Sequence, residues 1–263
     1  MNNHRLETYS PLIQEIVAKS GEIIRSGFDG QLQIKTKNDL TPLTQVDTDV
    51  NRYVMDRLAE EFPNDDFAGE EGCRVNHSER LWICDPLDGT RPFINGLPLG
   101  TFALALVENK QVVLSVIHDP FMNRTIYSAK GEGAWQNGQR LEVSKQASLD
   151  GADIHTCWGS TESGYLRRID NLRKVGSKVI KMDATVYAGM LVSNGKLDGD
   201  IYPGKHPWDA AAQSLAVIEA GGRVTDINGD NIDFSQDSIN GAVITNGKIH
   251  DKLIELILRS EIE

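Results

Sequence analysis

Apolar residues return at helical spacing near the start of the chain. Leu6, Tyr9, Ile13, Ile16, Val17, Ser20 and Ile24 recur about every 3.6 residues, which predicts a helix over 6–24 ended by Gly27 and Gly30. Leu32, Ile34 and Thr36 alternate, so 31–37 reads as a short strand. Val50, Val54, Leu58 and Phe62 mark one face of a second helix over 47–62, and Pro63-Asn64-Asp65-Asp66 turns the chain. Strands are then expected at 81–85, 101–108, 112–119, 125–130 and 134–136. The turns between them are Asn109-Lys110-Gln111 and Gly131-Glu132-Gly133, and Asn137-Gly138 follows the last. Such a meander makes a mainly antiparallel sheet.

A polar stretch at 144–151 divides the chain into 1–148 and 149–263. Beyond it, strands are expected at 154–158, 197–202, 224–227 and 242–245, and helices at 165–172, 184–193, 208–220 and 248–258. Ala211, Ala212, Leu215, Ala216 and Ile218 give 208–220 the composition of a buried helix, which Gly221-Gly222 ends. Helices alternating with sheet layers imply an α/β layered sandwich.

Composition narrows the function. The 263 residues are 40% hydrophobic, enough for a sizeable core. A formal net charge of -11 argues against broad, sequence-independent nucleic-acid binding, which needs Lys and Arg facing phosphates. It leaves a phosphorylated ligand open, because bound divalent cations invert the sign of an acidic pocket. Cys73, Cys84 and Cys157 are odd in number and widely spaced, without a Cys-x-x-Cys pair. That pattern points away from a disulfide framework or zinc site and toward a reducing cytoplasm. The first residues lack a basic-then-apolar leader pattern, and the apolar stretch at 102–107 is too short to span a bilayer. The expectation is a cytoplasmic protein without a membrane segment.

Candidate chemistry lies in three acidic clusters: Gly69-Glu70-Glu71-Gly72, Asp85-Pro86-Leu87-Asp88-Gly89-Thr90 and Pro207-Trp208-Asp209. Carboxylates brought together repel unless neutralised, and hard cations such as Mg²⁺ prefer oxygen ligands. Asp85 ends a predicted strand, and Asp88 follows a tight turn in which Pro86 restricts the backbone. The two carboxylates can face one cation or bridge two, and the Leu87 carbonyl offers a further hard oxygen. A helix starting near Thr90 would present free amides to a phosphate. Each cluster also has an ordinary reading. Asp88 can cap a turn, Glu70-Glu71 can be a solvated face, and Asp209 can cap the Ala-rich helix. An EF-hand fails, because the twelfth position from Asp85 is Gly96.

Taken in order, the Gly-Glu-Glu element, the Asp-Pro-Leu-Asp-Gly-Thr loop, and Trp-Asp followed by an apolar helix and Ala220-Gly221-Gly222 resemble the inositol monophosphatase superfamily of Mg²⁺-dependent, Li⁺-sensitive phosphatases. The resemblance covers nearly the whole chain. It implies an αβαβα sandwich of the sugar-phosphatase type, with a mainly antiparallel first sheet and a smaller second one. It implies two to three Mg²⁺ ions: Glu70, Asp85 and the Leu87 carbonyl at the first, Asp85, Asp88 and Asp209 at the second, and a weaker third near Glu70. Thr44-Gln45-Val46-Asp47 is similar to an upstream element of the family, which gives Asp47 and Thr90 the task of positioning the attacking water. Glu71 would support the metal shell, and the Gly89 and Thr90 amides, with Asp88 nearby, would meet the phosphate. A homodimer and a small phosphorylated metabolite as partner are also implied.

The resemblance also carries the expected activity, hydrolysis of inositol monophosphate or a related sugar or polyol phosphate by a metal-activated water. Alternatives are a 3′(2′),5′-bisphosphate nucleotidase, a histidinol-phosphatase, a fructose-1,6-bisphosphatase, or a non-catalytic metal-binding regulatory protein. The substrate wall departs from the family pattern. Met182-Asp183-Ala184-Thr185 stands where a Gly-Thr/Ser-Ala-Ala element is usual, and Tyr202 where an acid is common. Asp183, Ala184, Thr185 and Tyr202 are therefore candidate substrate contacts. Arg91 could clamp a second phosphate or a carboxylate, or be an ordinary exposed arginine or part of an intersubunit ion pair; His206 could lie at the pocket edge or simply on the surface.

Overall fold

The computed structural model describes residues 5–30, 33–36, 42–157 and 162–262. Residues 31, 32 and 37 of the first expected strand, and Trp158 of a later one, lie outside them. The described elements run α1 (Arg5–Phe28), β1 (Ile34–Thr36), β2 (Pro42–Thr44), α2 (Gln45–Glu61), β3 (Asp66–Gly69), β4 (Gly72–Arg74), β5 (Arg80–Asp88) and α3 (Thr90–Ile94). They continue with β6 (Thr101–Glu108), β7 (Gln111–Asp119), β8 (Arg124–Ala129), β9 (Gly133–Gln136), β10 (Gln139–Arg140), β11 (Asp153–Thr156), α4 (Glu162–Lys174) and β12 (Lys178–Ile180). The last are α5 (Thr185–Ser193), β13 (Gly199–Tyr202), a 3₁₀ turn (Pro207–Asp209), α6 (Ala211–Glu219), β14 (Arg223–Thr225), β15 (Ala242–Thr245) and α7 (His250–Ile262).

Two sheets organise the layers. The larger has eight strands in the order β10-β9-β8-β7-β6-β5-β3-β4, and the smaller five in the order β12-β11-β13-β15-β14. The meander is antiparallel from β5 through β10, whereas β3 pairs parallel with β5. In the smaller sheet β11 is parallel to β12 and β13, and β15 is antiparallel to β13 and β14. Helices α1 and α2 cover one face of the larger sheet, α5 and α6 lie between the sheets, and α4 and α7 cover the outer face of the smaller. The result is the expected αβαβα sandwich.

Packing decides where the chemistry sits. Val50, Val54 and Leu58 of α2 are fully buried with Ile16 and Ile24 of α1 and Trp82 and Leu104 of the sheet. Each such side chain contributes about 1.5–3 kcal/mol by leaving water. That seam fixes α2, and with it Asp47 in its first turn. Gly27 does not stop α1, which continues to Phe28. A Cβ on Gly27 would lie 2.1 Å from Val46 Cγ2, so the glycine lets α1 approach the start of α2. The Ala-rich segment is likewise not one helix from 208. It opens as the 3₁₀ turn and becomes α-helical only at Ala211.

Candidate active site

A cleft of about 590 Å³ opens where β5, α3, α5, β13 and the 3₁₀ turn meet. Glu70, Asp85, Leu87, Asp88 and Asp209 line it, together with Gly89 and Thr90. Asp183, Thr185 and Tyr202 form part of its wall, with Arg91 and His206 beside them. Asp47 touches the cleft through Thr90, whose hydroxyl is 3.2 Å from Asp47 Oδ1. Glu71 stands close by: one carboxylate oxygen from each of Asp47, Glu70 and Glu71 lies within 4.8 Å of the others. Ala184 lies beneath Gly89, 3.1 Å from where a Cβ there would be. The structure thus brings all the residues singled out from the sequence to one place.

Local structure explains each position. Strand β5 runs through Asp85 to Asp88 with an irregularity in its pairing to β6 between them, so both acids belong to one strand rather than to a strand and a following turn. Such a bulge re-aims side chains. Gly89 follows at φ 82°, a left-handed conformation in which other residues are strained, and opens the short helix α3. β3 brings in the third acid: pairing Gly69 with Cys84 sets the Glu70 amide 3.2 Å from the Cys84 carbonyl, next to Asp85. At α2, Thr44 and Asp47 form a capping box, in which the Thr44 amide and hydroxyl donate to Asp47 Oδ2 at 2.7 and 2.6 Å.

Of the ordinary roles open to Asp88, Glu70, Glu71 and Asp209, only the capping one is met, and only by Asp88. Asp88 does cap a helix, though not its neighbour: Oδ1 accepts from the Thr185 amide at 2.9 Å and Oδ2 from the Tyr187 amide at 3.0 Å, at the start of α5. The Thr101 hydroxyl adds a third bond at 3.0 Å. Asp209 lies inside the 3₁₀ turn, and Ala210, which precedes α6, makes no side-chain cap. Glu70 and Glu71 are half-buried rather than a solvated face.

Charge is the site's dominant feature. Burial holds Asp85 well above the usual carboxylate range, and Glu70, Asp88, Asp209 and Asp47 push it further the same way. Burial also raises Asp88, to about 6, against the pull of its backbone and Thr101 hydrogen bonds. Burial, then the adjacent Asp209, keeps the Tyr202 phenol protonated far above its ordinary range. Convergent acids whose mutual repulsion opposes ionisation fit a hard divalent cation. The donor set is all oxygen, as Mg²⁺ requires.

Several contributors carried no signal in the sequence. Thr101 anchors Asp88 from the next strand, and Cys157 lines the cleft. A buried chain links His155 Nδ1 to Asp200 Oδ1 at 2.7 Å and Asp200 Oδ2 to the Thr185 hydroxyl at 3.1 Å. Pairing of β5 with β6 and of β11 with β13, and the approach of α5, bring these residues together.

Comparison with known proteins agrees with the geometry. A sequence profile of the inositol monophosphatase family matches residues 5–261. A fructose-1,6-bisphosphatase/inositol-1-monophosphatase of Thermotoga maritima is 36% identical over 82% of each chain. A histidinol-phosphatase of Mycobacterium tuberculosis is 33% identical over 90% of this chain and 92% of its own. Among solved structures, an IMPase of Thermotoga maritima superposes with a TM-score of 0.86 at 30% identity, over 94% of this chain and 96% of that one. Fold and acidic cleft together are those of a phosphoric monoester hydrolase. Within that class, the chain belongs to the inositol monophosphatase family.

Proposed function

We propose that the protein is a Mg²⁺-dependent phosphatase of a small phosphate monoester, inositol monophosphate or a related sugar or polyol phosphate. The observation that carries this reading is Asp85, buried and pushed toward protonation by four neighbouring carboxylates in an open cleft. Glu70, Asp85 and the Leu87 carbonyl hold one Mg²⁺ in this proposal, and Asp85, Asp88 and Asp209 a second. A third ion near Glu70 completes the set, with Glu71 as support. Bound Mg²⁺ neutralises phosphoryl oxygens and makes water a stronger nucleophile.

The chain's own groups then align the reaction. The Thr90 hydroxyl has one proton and two acceptors within reach, Asp47 Oδ1 at 3.2 Å and the Leu87 carbonyl at 3.0 Å. Giving that proton to Asp47 leaves the Thr90 oxygen lone pairs free to accept one from the attacking water. Asp47 can serve because Thr44 fixes its other oxygen. The Gly89 and Thr90 amides receive the phosphate at the start of α3. Asp183 and Thr185 face the alcohol portion, with Asp183 paired to Lys181 at 3.6 Å. Direct displacement inverts configuration at phosphorus, and retention with chiral, isotopically labelled phosphate would exclude it.

Release of phosphate from a panel of esters, with Mg²⁺ and with chelator, tests the whole. Inositol 1-phosphate is expected to lead fructose 1,6-bisphosphate, histidinol phosphate and adenosine 3′,5′-bisphosphate. No release from any of them would sink the reading. Inhibition by Li⁺ and a homodimer in light scattering follow from the family resemblance, and a cytoplasmic location from the three unpaired, widely spaced cysteines. Among the described residues no helix is long and apolar enough to cross a membrane.

A further inference from the structure

Asp209 reaches the cleft from a turn only three residues long, which by itself does little to orient a side chain. Two buried groups hold it instead. The Tyr202 hydroxyl donates to Asp209 Oδ2, and the Gln213 side-chain amide donates to the Asp209 carbonyl. Tyr202 is 5% exposed and Gln213 fully buried. Tyr202 is fixed in turn by the His206 amide, which donates to its oxygen at 3.1 Å, while the His206 ring stacks on Trp208 at 4.6 Å. Glycines make room for both. A Cβ on Gly204 would lie 2.3 Å from the Tyr202 phenol oxygen, and one on Gly189 would lie 2.4 Å from Gln213 Cβ.

We infer that Tyr202 is a positioning residue, whose hydroxyl turns the Asp209 carboxylate to meet a divalent cation, with Gly204 leaving the space its ring needs. The inference rests on the proposed role of Asp209 as a Mg²⁺ ligand. It gives Tyr202 a different task from the substrate contact expected from the sequence. The phenol has a single proton, and that proton goes to Asp209. A hydrogen bond to one carboxylate oxygen fixes the plane in which the carboxylate meets a cation.

The test uses full-length, metal-free protein and Mg²⁺ alone, with apparent affinity read from the rise of melting temperature with Mg²⁺ concentration. Tyr202→Phe is expected to weaken Mg²⁺ by about tenfold or more, the scale on which partners of metal ligands act. Gly204→Ala keeps the hydroxyl but crowds the ring, and should shift the affinity in the same direction. At saturating Mg²⁺, the Phe variant should recover turnover on the ester hydrolysed fastest, with KM unchanged. Wild-type Mg²⁺ affinity in folded Tyr202→Phe, or a raised KM with unchanged affinity, overturns the inference. If the Phe variant does not fold, Gly204→Ala decides alone: unchanged affinity in a folded Gly204→Ala overturns it too. Asp209→Asn separates the two levels. Wild-type affinity there removes Asp209 from the ligand set, and this inference falls with it.

Discussion

Asp88 and Asp209 face the same cleft but are held differently, and substitution should separate them. Asp88 accepts three hydrogen bonds, from Thr185, Tyr187 and Thr101. Asn at 88 keeps one acceptor oxygen, so one buried donor loses its partner at a cost of about 1–3 kcal/mol. Asp209→Asn removes charge with less structural consequence. Both variants should lose turnover on the order of a hundredfold or more, as when a group stabilising transition-state charge is removed. Denaturant melts should show Asp88→Asn clearly less stable than Asp209→Asn, and equal kinetics to wild type in either would take that residue out of the reaction.

At the scale of elements, the start of α2 is the clearest case of a local motif with a distant consequence. Thr44 caps the helix and fixes Asp47, which meets Thr90 from a strand-to-helix junction 43 positions on. Thr44→Ala should cost about 1 kcal/mol in chemical denaturation, the usual worth of such a cap. It should also lower kcat more than it raises KM, because it frees Asp47 rather than any group touching the ester. A loss of stability with unchanged kcat would separate the cap from the chemistry. Periodicity made α2 and the meander legible, since both repeat a burial pattern over many residues. It missed β3, four residues long and without a repeat, although β3 is what sets Glu70 beside Asp85. It also read Gly27 as a helix stop, because composition cannot tell a break from a close approach between helices.

For the whole molecule, pH and metal are linked through the acidic cleft. Asp88 keeps its proton up to about pH 6, well above its unfolded value, so the metal-free fold loses stability as pH rises toward and through that range. A cation must displace that proton. The rise in melting temperature on adding Mg²⁺ should therefore be larger at pH 7.5 than at pH 5.5, and equal shifts would contradict it. Two histidines that do not line the cleft act with the opposite sign. Burial lowers both His118 and His250 to about 4. His118 is bonded to Thr125 at 2.9 Å, and His250 sits between Thr225 and Thr245 at 3.0 and 2.9 Å. Their contribution is fully present above the unfolded value near 6.5 and is lost as pH falls toward 4. Proton NMR should show both rings neutral at pH 5.5, and titration near 6.5 would refute it.

The sequence by itself determined the layers and the inventory of acids. Both are local: burial repeats along each segment, and a carboxylate announces its chemistry wherever it stands. Tertiary structure alone decided which acids meet and what holds them. Convergence depends on pairings such as Gly69 with Cys84, and on a Tyr202 hydroxyl turned toward Asp209. Contacts between distant segments arise only when packing fixes the register of strands and the approach of helices, and no single stretch of chain encodes that.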